Sequence, residues 1–132
     1  MLIFQALEPN PLNWSYICRY IYLSEDTLRY FSDKIEFINV SRYQILSENF
    51  IRDFKDKVQW NNISFNQKLS LKFIMEFEDK INFINLSCNY HLTEDIIKYY
   101  IKRFSNDIIL NNLINYNKYV SPKIKSLLKV YS

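Results

Sequence analysis

A pattern of 23 residues occurs four times in succession, and no other feature of this sequence constrains the fold as strongly. Each copy opens with an aromatic residue, and the four aromatic residues are Trp14, Phe37, Trp60 and Phe83. A Leu follows nine positions later, and directly after it stands a hydroxyl residue, which is Ser24, Ser47, Ser70 or Thr93. Periods of roughly 20 to 50 residues are typical of proteins in which each repeat buries its apolar face against its neighbours. The sequence therefore predicts a tandem-repeat protein.

The repeats divide the chain into units at about 13–35, 36–58, 59–81 and 82–104, with a degenerate fifth unit at 105–132. The fifth unit is recognised by its apolar positions, which are Leu110, Leu113, Val120, Ile124, Leu127 and Leu128. Atypical end units are expected in a stacked array, because each end has one face without a neighbour. A length of 132 residues suits a single domain, so we predict one α-helical repeat domain over 1–132.

Each repeat is predicted to hold two short helices. The hydroxyl of Ser47 can cap the second helix by accepting a backbone hydrogen bond, and the following Glu48 favours a helix N-terminus. Phe50, Ile51 and Phe54 then fall at helical spacing on one face. A recurring Lys near the end suits a helix C-terminus. The fold class predicted is all-α, a solenoid of short αα-hairpin repeats. A leucine-rich repeat, with a strand fragment at Ile35-x-Phe37, is the alternative.

Composition excludes several classes of protein. Gly is absent, so a Gly-rich phosphate loop and a dinucleotide fingerprint are both excluded. Neither Cys18 nor Cys88 lies in a metal-ligand spacing, and two cysteines make no disulfide framework. The first residues lack the basic region and cleavage site of a signal peptide, and no apolar run is long enough to span a membrane. We expect an intracellular protein in a host cytoplasm, with no membrane association.

The repeat pattern also resembles a known family. The motif W/F-x-x-I-S-x-x-Q-x-L-S-E-x-F-I-x-x-F-x-D-K-V is most complete from Phe37 to Val58. It resembles the short tandem repeats that giant DNA viruses of the mimivirus type encode in many copies, and the resemblance covers about Asn13 to Phe104. It implies a repeat architecture and a viral source. A composition rich in Ile, Asn, Lys and Tyr is similar to that of AT-rich viral or phage genomes. The resemblance carries no enzymatic activity and no catalytic residues.

The sequence does not assemble a catalytic site. His91 is the single histidine and stands at a repeat position that Tyr22, Ile45 and Lys68 occupy elsewhere. Cys18 takes the place of a recurring Ser and is expected to pack as a small residue. The Asp-Lys pair that closes three repeats is expected to brace one repeat against the next. We therefore predict no enzyme, no catalytic residue, no metal and no cofactor.

Two candidate binding surfaces follow from the repeat positions. Arg19 and Tyr20 are equivalent to Arg42 and Tyr43, and this Arg-Tyr row is the preferred protein-binding surface, since Tyr is favoured at interfaces. The alternative is nucleic-acid binding by the basic C-terminal end. Its lysines are Lys118, Lys123, Lys125 and Lys129.

The function predicted is a non-catalytic protein-interaction module, viral or phage-encoded, that blocks or recruits a host protein. An inhibitor of a bacterial defence nuclease, acting with or on nucleic acid, is a concrete alternative. A nucleic-acid-binding accessory protein and a virion component that stacks end to end are the others. The state expected is a monomer or a weak oligomer.

Overall fold

The computed structural model describes residues 12–103, 107–118 and 120–131. These residues form ten α-helices and one π-helical segment, and no β-strand occurs among them. The all-α prediction is confirmed for this part of the chain. The leucine-rich alternative is wrong, because Ile35 lies in a bend and Phe37 is the first residue of a helix, so Ile35-x-Phe37 is not a strand.

The described residues fall into two compact units, divided between Gln59 and Trp60. The N-terminal unit contains four helices: α1 (Trp14–Tyr20), α2 (Glu25–Tyr30), α3 (Phe37–Tyr43) and α4 (Glu48–Asp53). The C-terminal unit contains the others: α5 (Trp60–Asn66), α6 (Leu71–Glu76), α7 (Phe83–Ser87), α8 (Glu94–Arg103), α9 (Asp107–Asn111), the π-helical segment Asn112–Tyr116 and α10 (Pro122–Tyr131). The predicted pair of short helices is thus present in each of the first four repeats.

The second helix of a repeat begins where a hydroxyl caps it. Ser24, Ser47 and Ser70 accept hydrogen bonds from the backbone N–H groups three residues later, at 3.2, 3.1 and 3.2 Å. In the fifth repeat the hydroxyl of Ser121 accepts from the backbone N–H of Ile124 at 3.3 Å, and Pro122 is the first helical residue. The caps of Ser24, Ser47 and Ser70 confirm the predicted helix starts of the first three repeats, and in the fourth repeat the helix begins at Glu94, directly after Thr93.

The second helices of the first three repeats end earlier than predicted, so their recurring Lys lies outside them, whereas α8 of the fourth repeat extends to Arg103 and has the predicted basic last turn. The α2 helix ends at Tyr30, and a turn follows in which the carbonyl of Phe31 accepts hydrogen bonds from the N–H groups of Lys34 and Ile35, at 2.8 and 3.0 Å. This turn buries Ile35 before the next repeat begins. The Lys therefore belongs to the turn, not to the last turn of the helix.

The recurring Asp-Lys pair is also not the ion pair that links neighbouring repeats. Its contact at Asp79 and Lys80 measures 3.9 Å and stays within one repeat. Lys57 instead lies over the ring of Phe37, with its Nζ 5.7 Å from the ring centroid. Ion pairs between repeats use other positions: Arg29 with Asp53 at 2.8 Å, and Arg103 with Glu78 at 3.0 Å. Lys57 does not brace the next repeat because its side chain lies over an aromatic ring of its own repeat, whose face attracts a cation.

The core repeats as columns of equivalent side chains. The opening aromatic ring of each repeat packs on the closing aromatic ring of the same repeat, with centroid separations of 4.8, 5.2, 5.1 and 5.0 Å for Trp14–Phe31, Phe37–Phe54, Trp60–Phe77 and Phe83–Tyr100. Between them lie fully buried aliphatic side chains such as Val40, Ile51 and Ile63. Each ring pair joins the first helix of a repeat to the end of its second helix, so a single αα-hairpin already has aromatic contacts of its own.

Equivalent first helices lie side by side within each compact unit. The α1 helix packs against α3, α5 packs against α7, and α7 packs against α9. The recurring Ser of the first helix links neighbouring repeats, because the hydroxyl of Ser41 accepts a hydrogen bond from the N–H of Gln59 at 3.0 Å. The hydroxyl of Ser64 accepts likewise from the N–H of Asn82 at 2.9 Å.

A second set of links, which we call the amide column, consists of Gln44, Asn89 and Asn117. The side-chain NH₂ of Gln44 donates to the carbonyls of Cys18 and Ile21, at 2.7 and 2.8 Å. Asn89 does the same to two carbonyls of its preceding repeat, both at 2.8 Å, and Asn117 donates to two more at 3.0 and 2.9 Å. All three side chains are buried. Each amide thereby satisfies carbonyls at the end of the preceding first helix.

The fifth repeat packs as its sequence pattern predicts. Leu110, Leu113, Val120, Ile124 and Leu128 are buried in one cluster with Ile97 and Ile109. The prediction for Leu127 concerns a side chain outside the described set. The chain thus ends in helices that bury an apolar face against the fourth repeat.

Candidate interaction surface

The predicted protein-binding residues lie at equivalent places in the last turns of α1 and α3. In α1, Ile17 and Cys18 are buried, so the residues that follow point outward. In α3, Val40 and Ser41 are buried in the same way. Because α1 and α3 lie side by side, Arg19 and Tyr20 become neighbours of the equivalent pair of α3.

These four side chains form one continuous stack, which we call the Arg-Tyr ladder (Arg19, Tyr20, Arg42, Tyr43). The guanidinium carbon of Arg19 is 5.2 Å from the ring centroid of Tyr20 and 5.3 Å from that of Tyr43. The guanidinium carbon of Arg42 is 5.2 Å from the same Tyr43 ring. Each distance is within the range of a cation–π contact. The structure therefore brings together all four residues that the sequence predicted for protein binding.

The ladder is open to solvent. Tyr20 is 62% exposed and Tyr43 is 37% exposed, and both arginines are exposed. Tyr16 extends the aromatic surface, since its ring centroid lies 4.8 Å from that of Tyr20. A surface of this composition combines large amphipathic rings with fixed positive charge. Such residues are enriched where proteins bind one another.

Neither ladder arginine pairs with a carboxylate among the described residues, whereas the other three arginines of the chain do. Arg29 pairs with Asp53 at 2.8 Å, Arg52 with Glu48 at 3.8 Å, and Arg103 with Glu78 at 3.0 Å. The interactions that the two ladder arginines make with described residues are the cation–π contacts with Tyr20 and Tyr43. Their charge is therefore not neutralised within the described part of the protein.

The amide of Gln44 supports the ladder from beneath. It bonds the carbonyl that precedes Arg19 and the carbonyl that follows Tyr20, and its side-chain oxygen accepts from the N–H of Leu23 at 2.9 Å. The path of the backbone around Arg19 and Tyr20 is thus tied to α3. Sequence analysis did not identify Gln44 as part of the surface. Its position in the sequence could have indicated this role, because Gln44 is an amide side chain placed four residues after the buried Val40, directly after the first helix of its repeat.

The ladder is confined to the first two repeats. The positions equivalent to Arg42 and Tyr43 hold Phe65 and Asn66 in the third repeat, and Cys88 and Asn89 in the fourth. Phe65 is partly exposed, but Asn89 belongs to the amide column and is buried. The candidate surface is therefore a local feature of the N-terminal unit.

The lysines predicted for nucleic-acid binding are less well grouped. On α10, Lys125 and Lys129 lie one turn apart on one side, and Lys123 lies on another side. The charge of Lys123 acts on Glu94, whose pKa is lowered first by a hydrogen bond from Lys98. Lys118 is exposed before α10 begins. The four lysines thus share an end of the chain but not one face of a helix.

Cys18, Cys88 and His91 are residues whose side chains could serve catalysis or metal binding. Burial raises the pKa of the Cys18 thiol, which opposes formation of the reactive thiolate. Cys88 is half-buried, and His91 stacks on Tyr90 with a centroid separation of 3.9 Å. Among the residues that the structure describes, no group of three or more His, Cys, Asp or Glu is placed to hold a metal ion.

No protein family, curated protein or solved structure is significantly similar to this chain. Within the described ranges, no helix has both the length and the apolar character needed to cross a membrane.

Proposed function

We propose that this chain is a non-catalytic helical-repeat module that binds another protein through the Arg-Tyr ladder. The observation that carries the proposal is the exposed stack of two arginines and two tyrosines, built by two successive repeats, in which the arginines have no carboxylate partner among the described residues. The neighbouring arginines are all engaged in ion pairs, so the ladder differs from the rest of the surface.

Preorganisation supports this function. A long, flexible side chain loses conformational entropy when a partner immobilises it, at a cost of about 0.5–1.5 kcal/mol for each such residue. In the ladder, ring contacts on Arg19 and Arg42 already restrict both side chains. The Gln44 amide restricts the backbone beneath them. Part of the conformational entropy of these side chains is therefore lost when the protein folds, and less is lost when a partner binds.

We further propose an architecture and a biological setting for this module. The side-by-side packing of α1 with α3, and of α5 with α7, supports a solenoid of short αα-hairpin repeats. The resemblance to giant-virus repeats supports a viral or phage protein that blocks or recruits a host protein in the host cytoplasm. An inhibitor of a bacterial defence nuclease is one such role.

The test is affinity capture of a partner from host lysate with the intact chain and with the Arg19→Glu, Arg42→Glu double variant. We expect a stoichiometric protein that survives nuclease treatment to be retained by the parent and lost with the variant. The Lys68→Glu, Lys72→Glu variant is the matched control, because it reverses two exposed charges in the C-terminal unit. Circular dichroism checks that helix content is unchanged. Equal retention by both variants would contradict the choice of the ladder.

A second candidate function, nucleic-acid binding, rests on charge. From residue 105 onward the chain carries four Lys and a single Asp. Each phosphate contact contributes about 0.7–0.9 to the slope of log K against log salt. Binding of labelled DNA that weakens with salt, and whose slope falls when Lys123, Lys125 and Lys129 become Gln, would support this function. A slope that the triple variant leaves unchanged would exclude these lysines.

A further inference from the structure

We infer that the Arg-Tyr ladder recognises an acidic segment of its partner, with carboxylates at alternate positions of an extended chain. This inference rests on the proposed function and adds the chemistry of the partner. Its basis is the contrast among the five arginines of the chain. Three of them pair with carboxylates of this protein, while Arg19 and Arg42 lie against tyrosine rings and have no carboxylate partner among the described residues.

The ladder leaves its arginines suited to carboxylates. A guanidinium presents five N–H donors in a planar fork that matches a carboxylate with two parallel hydrogen bonds. The ring contacts of Arg19 and Arg42 are made through the guanidinium carbon, and neither side chain donates to a described carboxylate. The donors of both forks therefore stay available to an incoming anion.

The spacing of the two arginines fits a short segment. Both guanidinium carbons lie against the Tyr43 ring, at 5.3 and 5.2 Å from its centroid, so they are no more than about 11 Å apart. Alternate side chains on one face of an extended strand are about 7 Å apart, since a strand rises about 3.3 Å per residue. Two carboxylates at such positions can reach both arginines together.

Charge favours an acidic peptide over nucleic acid as the ligand of this surface. Residues 1–59 carry seven Lys and Arg against eight Asp and Glu, which gives a formal net charge of −1. A nucleic-acid surface requires a broad positive field along the phosphate backbone. Tyr43 already has a guanidinium from each repeat against its ring, which leaves it poorly placed to stack on a base. Two local positive charges in a neutral surrounding suit a few carboxylates.

The experiment measures fluorescence anisotropy of a labelled peptide of alternating Glu and Ser with the full chain. We expect saturable binding that weakens with salt, and no binding of the matched peptide of alternating Gln and Ser. The Arg19→Gln, Arg42→Gln variant should bind at least about tenfold more weakly. The Lys68→Gln, Lys72→Gln variant removes the same charge elsewhere and should bind like the parent. An Arg19→Lys, Arg42→Lys variant keeps the charge but not the planar fork of donors. Its affinity for the Glu peptide should lie between that of the parent and that of the Arg-to-Gln variant.

Three results would overturn the inference: no saturable binding of the Glu peptide, equal binding of the Gln peptide, or equal binding by the Arg-to-Gln variant. Binding of labelled oligothymidylate to the ladder in preference to the Glu peptide would overturn it as well. The lysate capture separates this failure from failure of the proposed function. If the Arg-to-Glu variant loses its partner while the Glu peptide does not bind, the ladder binds a protein by other chemistry. If the capture is also unaffected, both proposals fail.

Discussion

At the scale of single residues, Gln44 satisfies three backbone groups of the preceding repeat, the carbonyls of Cys18 and Ile21 and the N–H of Leu23. Replacing Gln44 with Leu removes all three hydrogen bonds while keeping a side chain of similar size. A buried backbone group left without a partner costs about 1–3 kcal/mol. We therefore predict that Gln44→Leu lowers the free energy of unfolding by about 3 kcal/mol or more, measured by urea denaturation followed by circular dichroism.

The chain offers a matched control for that change. The side chain of Gln59 is exposed, and only its backbone N–H takes part in a described hydrogen bond. We expect Gln59→Leu to change the free energy of unfolding by no more than about 0.5 kcal/mol, as surface substitutions usually do. A similar loss at both positions would mean that the Gln44 amide has no special role.

His91 provides a prediction on pH. Burial lowers the pKa of His91 below its ordinary value, and the positive charge of Lys68 lowers it further. The folded protein therefore binds this proton less readily than the unfolded chain. Stability from this group is present at neutral pH, falls as the pH drops through about 6.5, and stops falling below the folded-state pKa.

The measurement is an NMR titration of the His91 ring, whose signal is unambiguous because the chain has one histidine. We expect a midpoint below the ordinary value, and an upward shift in the Lys68→Gln variant, because the repulsive charge is removed. A midpoint at or above the ordinary value would show that burial does not act on this ring.

At the scale of helices, the short second helix of each repeat depends on its cap. The α4 helix has only six residues, and Ser47 caps it while also donating to the carboxylate of Glu25 in the first repeat. We predict that Ser47→Ala lowers the free energy of unfolding by about 1–2 kcal/mol, because the cap and the hydroxyl's hydrogen bond to Glu25 are lost, while the backbone N–H of residue 47 still donates to Glu25. Thermal unfolding by circular dichroism measures it.

Ser47→Thr is the informative comparison, because it keeps the hydroxyl. We expect it to stay close to the parent and to remain sensitive to Glu25→Gln, whereas Ser47→Ala should be less sensitive to that second change, because only its backbone N–H still donates to Glu25. Additive effects of Glu25→Gln and Ser47→Ala would indicate that the hydroxyl and the carboxylate act independently.

The helix starts were predictable from sequence because a cap is a local interaction between Ser and an N–H three residues later. The helix ends were not, because the turn after Tyr30 depends on how Phe31 and Ile35 pack in three dimensions. The amide column was missed for a related reason. Asn89 stands one residue before the position that a strict period of 23 assigns to it, since α7 is two residues shorter than α3. A shorter amide on a shorter helix reaches the same carbonyls.

The candidate surface was likewise predictable from the sequence in part. Equivalent positions in the repeat predicted that Arg19 and Arg42 would be near each other, because the period places them on adjacent first helices. The sequence did not predict that Tyr43 would contact both arginines, or that the other three arginines would be paired. Those contacts depend on side-chain conformations, which the spacing of the repeats does not determine.

At the scale of the whole molecule, we predict a monomer of 16.1 kDa across the accessible concentration range. End-to-end stacking of copies would require an amide at the first repeat to satisfy the carbonyls of another chain. That position holds Ile21, which is 42% exposed and has no hydrogen-bonding side chain. Light scattering coupled to size-exclusion chromatography measures the mass. A mass that rises steadily with concentration would contradict the prediction and support assembly by stacking.

The amide column has a consequence for how such a gene can change. In the first, third and fourth repeats, two carbonyls at the end of the first helix accept hydrogen bonds from the amide of the following repeat, so successive copies carry matching surfaces. Unequal recombination that adds or removes one whole period is therefore expected to yield a chain that still folds. A deletion inside a first helix is tolerated where the amide still reaches its carbonyls, as Asn89 does after the shorter α7. The constraint on such an array is thus the position of each amide relative to its carbonyls, and copy number can change in whole repeats.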